Sequence, residues 1–284
     1  MVPIVHVFAE RNHLCPGDRR RLFARLSQTA LLRRASGFLC SGSANRRFYL
    51  ERKVPADRLF LMPYAVDNHF FQQQAMAASP RRKTLRARLG LDPERAIILF
   101  TGRFSNVKGA DILLDAVSKL ITPAADSRFH SDCSRLPYLL FIGDGPMRSD
   151  LEFRAKALPA GTVHFLGFKN QTELPAFYDL CDLFVLPSRF EPWGLVVNEV
   201  MNAGRPVIVS DRVGAGFDLV EPGLNGWIYP HEESQALANC LRQALADRER
   251  LRDMGRRSLE RISTWDFESD RRSFLAALKK LLPP

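Results

Sequence analysis

The chain has 284 residues, 46% hydrophobic, 25% charged and 10% aromatic, which excludes low-complexity disorder, collagen-like repeats and a disulfide miniprotein. No apolar run approaches the roughly 18–20 residues of a membrane-spanning helix, and the apolar start lacks the basic region of a signal peptide. The net charge of +10 is unevenly placed: residues 1–90 carry 17 Lys and Arg against five acidic groups, +12, and residues 91–284 carry 24 against 26, −2. Two regions with different partners are expected, the first either a plain solvated surface or one facing nucleic acid, anionic lipid or a phosphorylated substrate. Cys15, Cys40, Cys133, Cys181 and Cys240 are unevenly spaced with no C-x-x-C pair, the pattern of reduced thiols in cytoplasm.

Taken in chain order, the first third reads as strands over 4–8, 37–40 and 59–62 with helices over 19–34 and 44–52. Residues 72–88, with three glutamines, small residues and Arg81, Arg82 and Lys83, read as a linker entering a short basic helix. Strands then follow at 96–100, 138–142, 163–166, 183–186, 206–210 and 227–229. Between them lie helical patterns at 111–121, 147–157, 172–180 with Thr172 as N-cap, 195–203 and 234–246. Residues 122–136 read as a surface loop, and the tail as helices over 248–262 and 267–282. Apolar strands separated by helices indicate a parallel sheet covered on both faces. The fold class is therefore α/β: a doubly wound parallel-sheet domain preceded by a partial Rossmann-like domain. The expected boundaries are 1–75 for the partial domain, 76–90 for the linker, 91–265 for the main domain and 266–284 for a C-terminal helix.

In open parallel sheets, ligands bind at the carboxyl ends of strands. The loop 101–109 falls at such an end and places Arg103 and Lys108 between Gly102 and Gly109, just before a helix. Two cations beside a helix N-terminus suit a diphosphate. After the next strand, Gly143, Asp144, Gly145 and Pro146 form a turn that ordinary helix-start chemistry explains by itself. The segment 187–199 is more specific. Glu191 lies in a loop, Gly194 opens a helix, and Glu199 follows about 7–8 Å along its axis. Two carboxylates so separated cannot share a proton, but they can grip hydroxyls at two points of one elongated ligand. N–H groups at Gly194 and Leu195 would lie between them, aimed at a phosphate. This layout fits a nucleoside diphosphate sugar; the plainer alternative makes Glu191 a helix cap and Glu199 a surface residue.

The E-x7-E spacing of Glu191 and Glu199, the loop from Gly102 to Gly109, and Asn225-Gly226 after Gly214 resemble retaining family-4 glycosyltransferases (glycosyl transferases group 1). The likeness extends over about residues 36–265 and is most specific between 97 and 229. It implies a GT-B type fold, with Arg103 and Lys108 on the donor diphosphate and Glu191 on the donor sugar as the catalytic set. It implies donor binding by Gly102, Phe104, Gly143, Asp144, Gly145, Phe168, Gly194, Leu195, Val196 and Glu199, with Phe168 near the base and Glu199 on the ribose. No metal and no cofactor are implied, the nucleoside diphosphate sugar being a co-substrate and the cations serving as the charge clamp.

The sequence also departs from that family. Only about the last third of an acceptor-side domain is expected, without the family's early glycine-rich loop. Ala9, followed by Glu10, stands where many members carry a catalytic His. His6, His164 and His231 read as structural and His13 as surface. Two functions follow: sugar transfer to an acceptor hydroxyl with retention, or a truncated, inactive remnant that binds a nucleotide-sugar. Expected partners are the nucleotide-sugar donor and a glycan or lipid-linked acceptor. The expected location is cytoplasmic, with the basic third a candidate for peripheral contact with anionic membrane at its inner face. No aromatic-interleaved basic motif points to nucleic acid.

Overall fold

The computed structural model describes residues 5–6, 32, 34–121 and 136–281. These divide into two compact units, Met1–Ala65 with Trp265–Pro284, and Val66–Thr264. In the smaller unit, β1 (Val5–His6), β2 (Gly37–Cys40) and β3 (Leu59–Leu61) form a parallel sheet in that order. Helix α1 (Ser43–Glu51) packs Phe48 and Tyr49 over β2, where the Phe38 and Tyr49 rings lie 4.7 Å apart. Lys53, at φ 58°, ends the helix and lets Val54 return to the same core.

The larger unit opens with α2 (Asn68–Ala78), whose first turn Asp67 caps by accepting from the Phe70 N–H at 2.9 Å. A 3-10 turn over Ser79–Arg81 leads into α3 (Arg82–Arg88). The strands are β4 (Ile97–Thr101), β5 (Tyr138–Ile142), β6 (Val163–Phe165), β7 (Leu183–Leu186), β8 (Val207–Ser210) and β9 (Gly226–Tyr229). Between and after them come α4 (Ala110–Ile121), α5 (Arg148–Ala155), α6 (Leu174–Leu180), α7 (Leu195–Asn202), the short α8 (Gly216–Leu219), α9 (Ser234–Leu245) and α10 (Arg248–Ile262). All pairings are parallel, in the order β6-β5-β4-β7-β8-β9. This is the doubly wound arrangement expected from apolar strands alternating with helices. Strands β4, β5, β7 and β8 are buried along their whole length, and α4 packs against α9.

The chain's last helix, α11 (Phe267–Leu281), belongs to the smaller unit, where it packs on β2 and β3. Trp265 Nε1 donates to the Tyr64 carbonyl at 3.0 Å, and Lys280 Nζ to the Asp57 carbonyl at 2.9 Å. The C-terminal segment is thus part of a core, not a separate appendage.

Two expectations are corrected. The stretch 76–90 is linker only in small part: the end of α2 and the 3-10 turn fill its first residues, and α3 is the short basic helix expected there. Its glutamines mask an amphipathic helix, for Phe71 and Ala75 stand one turn apart and bury together, while Gln73 and Gln74 face solvent. Likewise Thr172 does not cap the helix, which starts at Leu174. Asn170 Oδ1 takes the N–H groups of both Thr172 and Glu173, at 3.0 and 3.1 Å, and forms the turn instead. Most of the expected helix over 19–34 and the loop over 122–135 lie outside the described residues, as do Ala9, Glu10, His13, Cys15, Cys133 and the side chain of His6.

Candidate functional site

Strand order reverses direction at the neighbouring strands β4 and β7, and their carboxyl ends frame a crevice. A cleft of about 680 Å³ lies there, lined by the loops that follow β4, β5, β6 and β7. Why these loops converge is visible in their backbone bonds. The Gly102 N–H donates to the Ile142 carbonyl at 3.0 Å, the Gly143 N–H to the Gly167 carbonyl at 2.9 Å, and the Phe104 N–H to the Asp144 carbonyl at 2.9 Å. The fit allows no side chain at Gly143: its φ is 132°, and a Cβ there would stand 2.0 Å from the Gly102 carbonyl oxygen.

The loop carrying the cations is also held from its other side. The Arg189 guanidinium meets Asp111 through two bonds of 2.9 and 2.7 Å, the Asn106 carbonyl at 2.6 Å and Glu232 at 3.1 Å. Its own N–H donates to the Val107 carbonyl at 2.8 Å. Burial alone would raise the Asp111 carboxyl; the bonds and charge of Arg189 outweigh it and hold the group below the usual carboxylate range. Arg103 stands exposed at the rim, with no ion pair among the described residues. Lys108, by contrast, is ion-paired with Glu191 across the cleft.

On the β7 side, the loop from Glu191 to Trp193 is stitched to the loop after β8. The Glu191 N–H bonds the Arg212 carbonyl at 3.0 Å, and the Gly214 and Ala215 N–H groups bond the carbonyls of Glu191 and Trp193 at 3.0 and 2.9 Å. Trp193 Nε1 then anchors on Asn198 Oδ1 at 2.9 Å inside α7. Gly194, at φ 95°, turns the chain into α7, so that Gly194, Leu195 and Val196 line the cleft at a helix N-terminus, the end that carries the positive pole of the helix dipole. Glu199, in the second turn of α7, lines the floor, where Tyr178 donates to its Oε2 at 2.6 Å. Burial pushes the Glu199 carboxyl above its ordinary range, and the Tyr178 hydrogen bond opposes that rise.

The structure therefore gathers Arg103, Lys108 and Glu191 with Gly102, Gly143, Asp144, Gly145, Phe168, Gly194, Leu195, Val196 and Glu199 around one cleft. Phe168 is 77% exposed there, an apolar ring open to a ligand. Phe104 is the exception. Its ring is fully buried against Phe100, Phe141 and Phe165, so the side chain supports the loop from behind and does not reach the cleft. Sequence reasoning missed Thr101, Ile142, Lys169, Leu174, Tyr178 and Leu186, which also line it. Tyr178 gave no separate signal, since its spacing in the helix already accounts for it as core. His164, bonded to the Gly161 carbonyl, and His231, bonded to Asp211, lie outside the lining. Asn225 is structural: it accepts from the Glu221 N–H and donates to the Leu219 carbonyl, both at 2.8 Å. Cys40 and Cys181 are free, buried thiols, each pushed up by burial to about 12. Among the described residues, no helix is long and apolar enough to cross a membrane.

Residues 81–261 match the family described as Glycosyl transferases group 1. The chain is 30% identical over 222 residues to an alpha-D-kanosaminyltransferase of Streptomyces kanamyceticus, covering 78% of this chain and 53% of that protein. It is 29% identical over 280 residues to a D-inositol 3-phosphate glycosyltransferase of Jonesia denitrificans, covering 93% and 63%. It thus spans less than two thirds of either relative. Among solved structures, Anabaena Alr3699/HepE in complex with UDP superposes with a TM-score of 0.79 at 22% identity, over 98% of this chain and 72% of that one.

Proposed function

The chain belongs to the glycosyl transferases group 1 family and has an α/β fold of the GT-B type, and from that premise we propose that it moves a sugar from a nucleoside diphosphate sugar to an acceptor hydroxyl with retention of configuration. One observation carries the reading: two cations, the N-terminus of α7 and two carboxylates meet in one cleft at the switch point of the sheet. Arg103, Lys108 and the N–H groups of Gly194 and Leu195 bind the diphosphate. Glu199 takes the ribose, Phe168 lies beside the base, and Glu191 meets the donor sugar.

Departure of the diphosphate is the hard step of sugar transfer. Its transition state gathers negative charge on the leaving phosphate and positive charge on the sugar ring. Fixed cations and N–H groups stabilise the first more than they stabilise the bound donor, and so they lower the barrier. Lys108 and Glu191 form an ion pair across the cleft. A diphosphate competes for that ammonium, and its arrival turns the Glu191 carboxylate toward the sugar, where developing positive charge awaits it. The acceptor hydroxyl then attacks from the face that the leaving group vacates. In this proposal the charge clamp is made by side chains and backbone alone, with no metal or cofactor. The acceptor is a glycan or a lipid-linked sugar, and the basic first third approaches anionic membrane.

Thermal unfolding with and without UDP, GDP and ADP tests the donor site. At about 100 times the dissociation constant, binding contributes about 2.7 kcal/mol and raises Tm by roughly 5–10 °C. Replacing Arg103 and Lys108 together by Ala removes the rise. No rise with any of the three nucleotides overturns the assignment. Release of donor sugar in the presence of a glycan or lipid acceptor tests turnover; binding without release favours an inactive nucleotide-sugar-binding protein.

A further inference from the structure

The floor of the cleft holds a group that these roles do not use. Tyr178, in the last turn of α6, is fully buried, yet its hydroxyl reaches the cleft and donates to Glu199 Oε2 at 2.6 Å. Thr101, at the carboxyl end of β4, lines the same floor. The phenol is thereby held between two elements: its own helix and α7. The carboxylate it meets is held by one oxygen only. Among the described residues, Glu199 Oε1 receives no donor while the side chain lines the cleft, so that oxygen is the one left for a ligand.

The energetics favour a fixed partnership. Burial, then the adjacent carboxylate, keeps the Tyr178 hydroxyl protonated far above neutral pH, so it acts as a permanent donor. A glutamate left to itself spreads over many rotamers, and ordering it on binding opposes association. Tyr178 does that ordering in advance, within the protein fold. A carboxylate oxygen so aimed discriminates sharply between a ligand that offers hydroxyls and one that lacks them, since the latter leaves it buried and unpaired.

We propose that Tyr178 is a positioning residue that fixes Glu199, so that the carboxylate selects ribonucleotides over their deoxy counterparts. The proposal rests on the reading of Glu199 as the ribose-holding group. It makes the hydroxyl of Tyr178, more than its ring, the source of selection.

Calorimetric titration of whichever of UDP, GDP or ADP binds, beside its 2′,3′-dideoxy analogue, tests this on the wild-type chain and on Tyr178→Phe. Wild type is expected to favour the ribonucleotide by about 10–100-fold. Tyr178→Phe keeps the ring and is expected to weaken the ribonucleotide about tenfold while leaving the dideoxy analogue unchanged, so the ratio collapses. Glu199→Gln, which keeps an acceptor for Tyr178, is expected to lower the ratio as well. Equal weakening of both ligands by Tyr178→Phe, the pattern of a merely structural residue, overturns the proposal. So does an unchanged ratio in that variant. A wild type that binds both ligands alike overturns the ribose role of Glu199 along with it, while the diphosphate site stands. A wild type that binds neither removes the donor site itself.

Discussion

The six-stranded sheet and the three-stranded sheet are both parallel, yet they reach stability by different routes. In the larger unit, four strands are buried throughout, and helices local in sequence cover them. In the smaller unit, β3 is partly exposed, and part of the cover comes from α11, more than 200 residues further along the chain. The wider sheet has a second property. With neighbours on both sides, the loops after its central strands are pinned by one another's backbones, and that crowding is what shapes a cleft.

The comparison predicts where damage falls. The largest effect belongs to Gly143→Ala, which forces a Cβ into the Gly102 carbonyl at a left-handed φ. It should cost about 4 kcal/mol by urea unfolding and abolish nucleotide binding. A near-native variant would show that the two loops are not in mutual contact. Next is Trp265→Ala. Loss of this buried ring should cost about 3 kcal/mol, confined to the smaller unit, with nucleotide affinity within about twofold of wild type. Loss of nucleotide binding there would break the separation of the two routes.

Arg189→Ala comes third, at about 2 kcal/mol, since it strips the guanidinium from Asp111 and from the loop that carries Lys108. Its pH signature is specific. The folded Asp111 carboxyl sits below its ordinary range, so the stability it contributes is present above that ordinary range and is lost as pH falls through the lowered folded value. The variant should lose this acid-side slope in urea unfolding measured across pH. The smallest effect is expected for Glu199→Gln. Burial raises that carboxyl in the folded state, so its ionisation costs stability as pH rises past the ordinary carboxylate range. At neutral pH the free variant should therefore melt about 1–3 °C above wild type while binding nucleotide more weakly. A lower Tm would place the Glu199 charge in a favourable environment instead.

Legibility in the sequence follows the same division. Strands β4, β5, β7 and β8 were readable because burial on both faces leaves continuous apolar runs with helical patterns between them. The residues of the cleft were readable where chemistry needs unusual types at loop positions, as with Arg103, Lys108, Glu191 and Gly194. Tyr178 and Leu174 were not, because they reach the cleft from a helix whose spacing already explains them as core. Phe104 misled for the opposite reason: it lies in the right loop, but its ring turns inward to an aromatic cluster. Helix α2 hid behind glutamines, and the place of α11 depends on a contact between distant segments that no local pattern announces.

Amide hydrogen exchange with and without saturating nucleoside diphosphate tests the central claim most directly, because the site is made largely of backbone groups. Binding at the switch point should raise protection at the N–H groups of Gly194, Leu195 and Val196 and through residues 102–109, and leave residues 37–61 unchanged. Unchanged exchange at 194–196 and 102–109 in a sample that binds the nucleotide, or protection confined to 37–61, would contradict it.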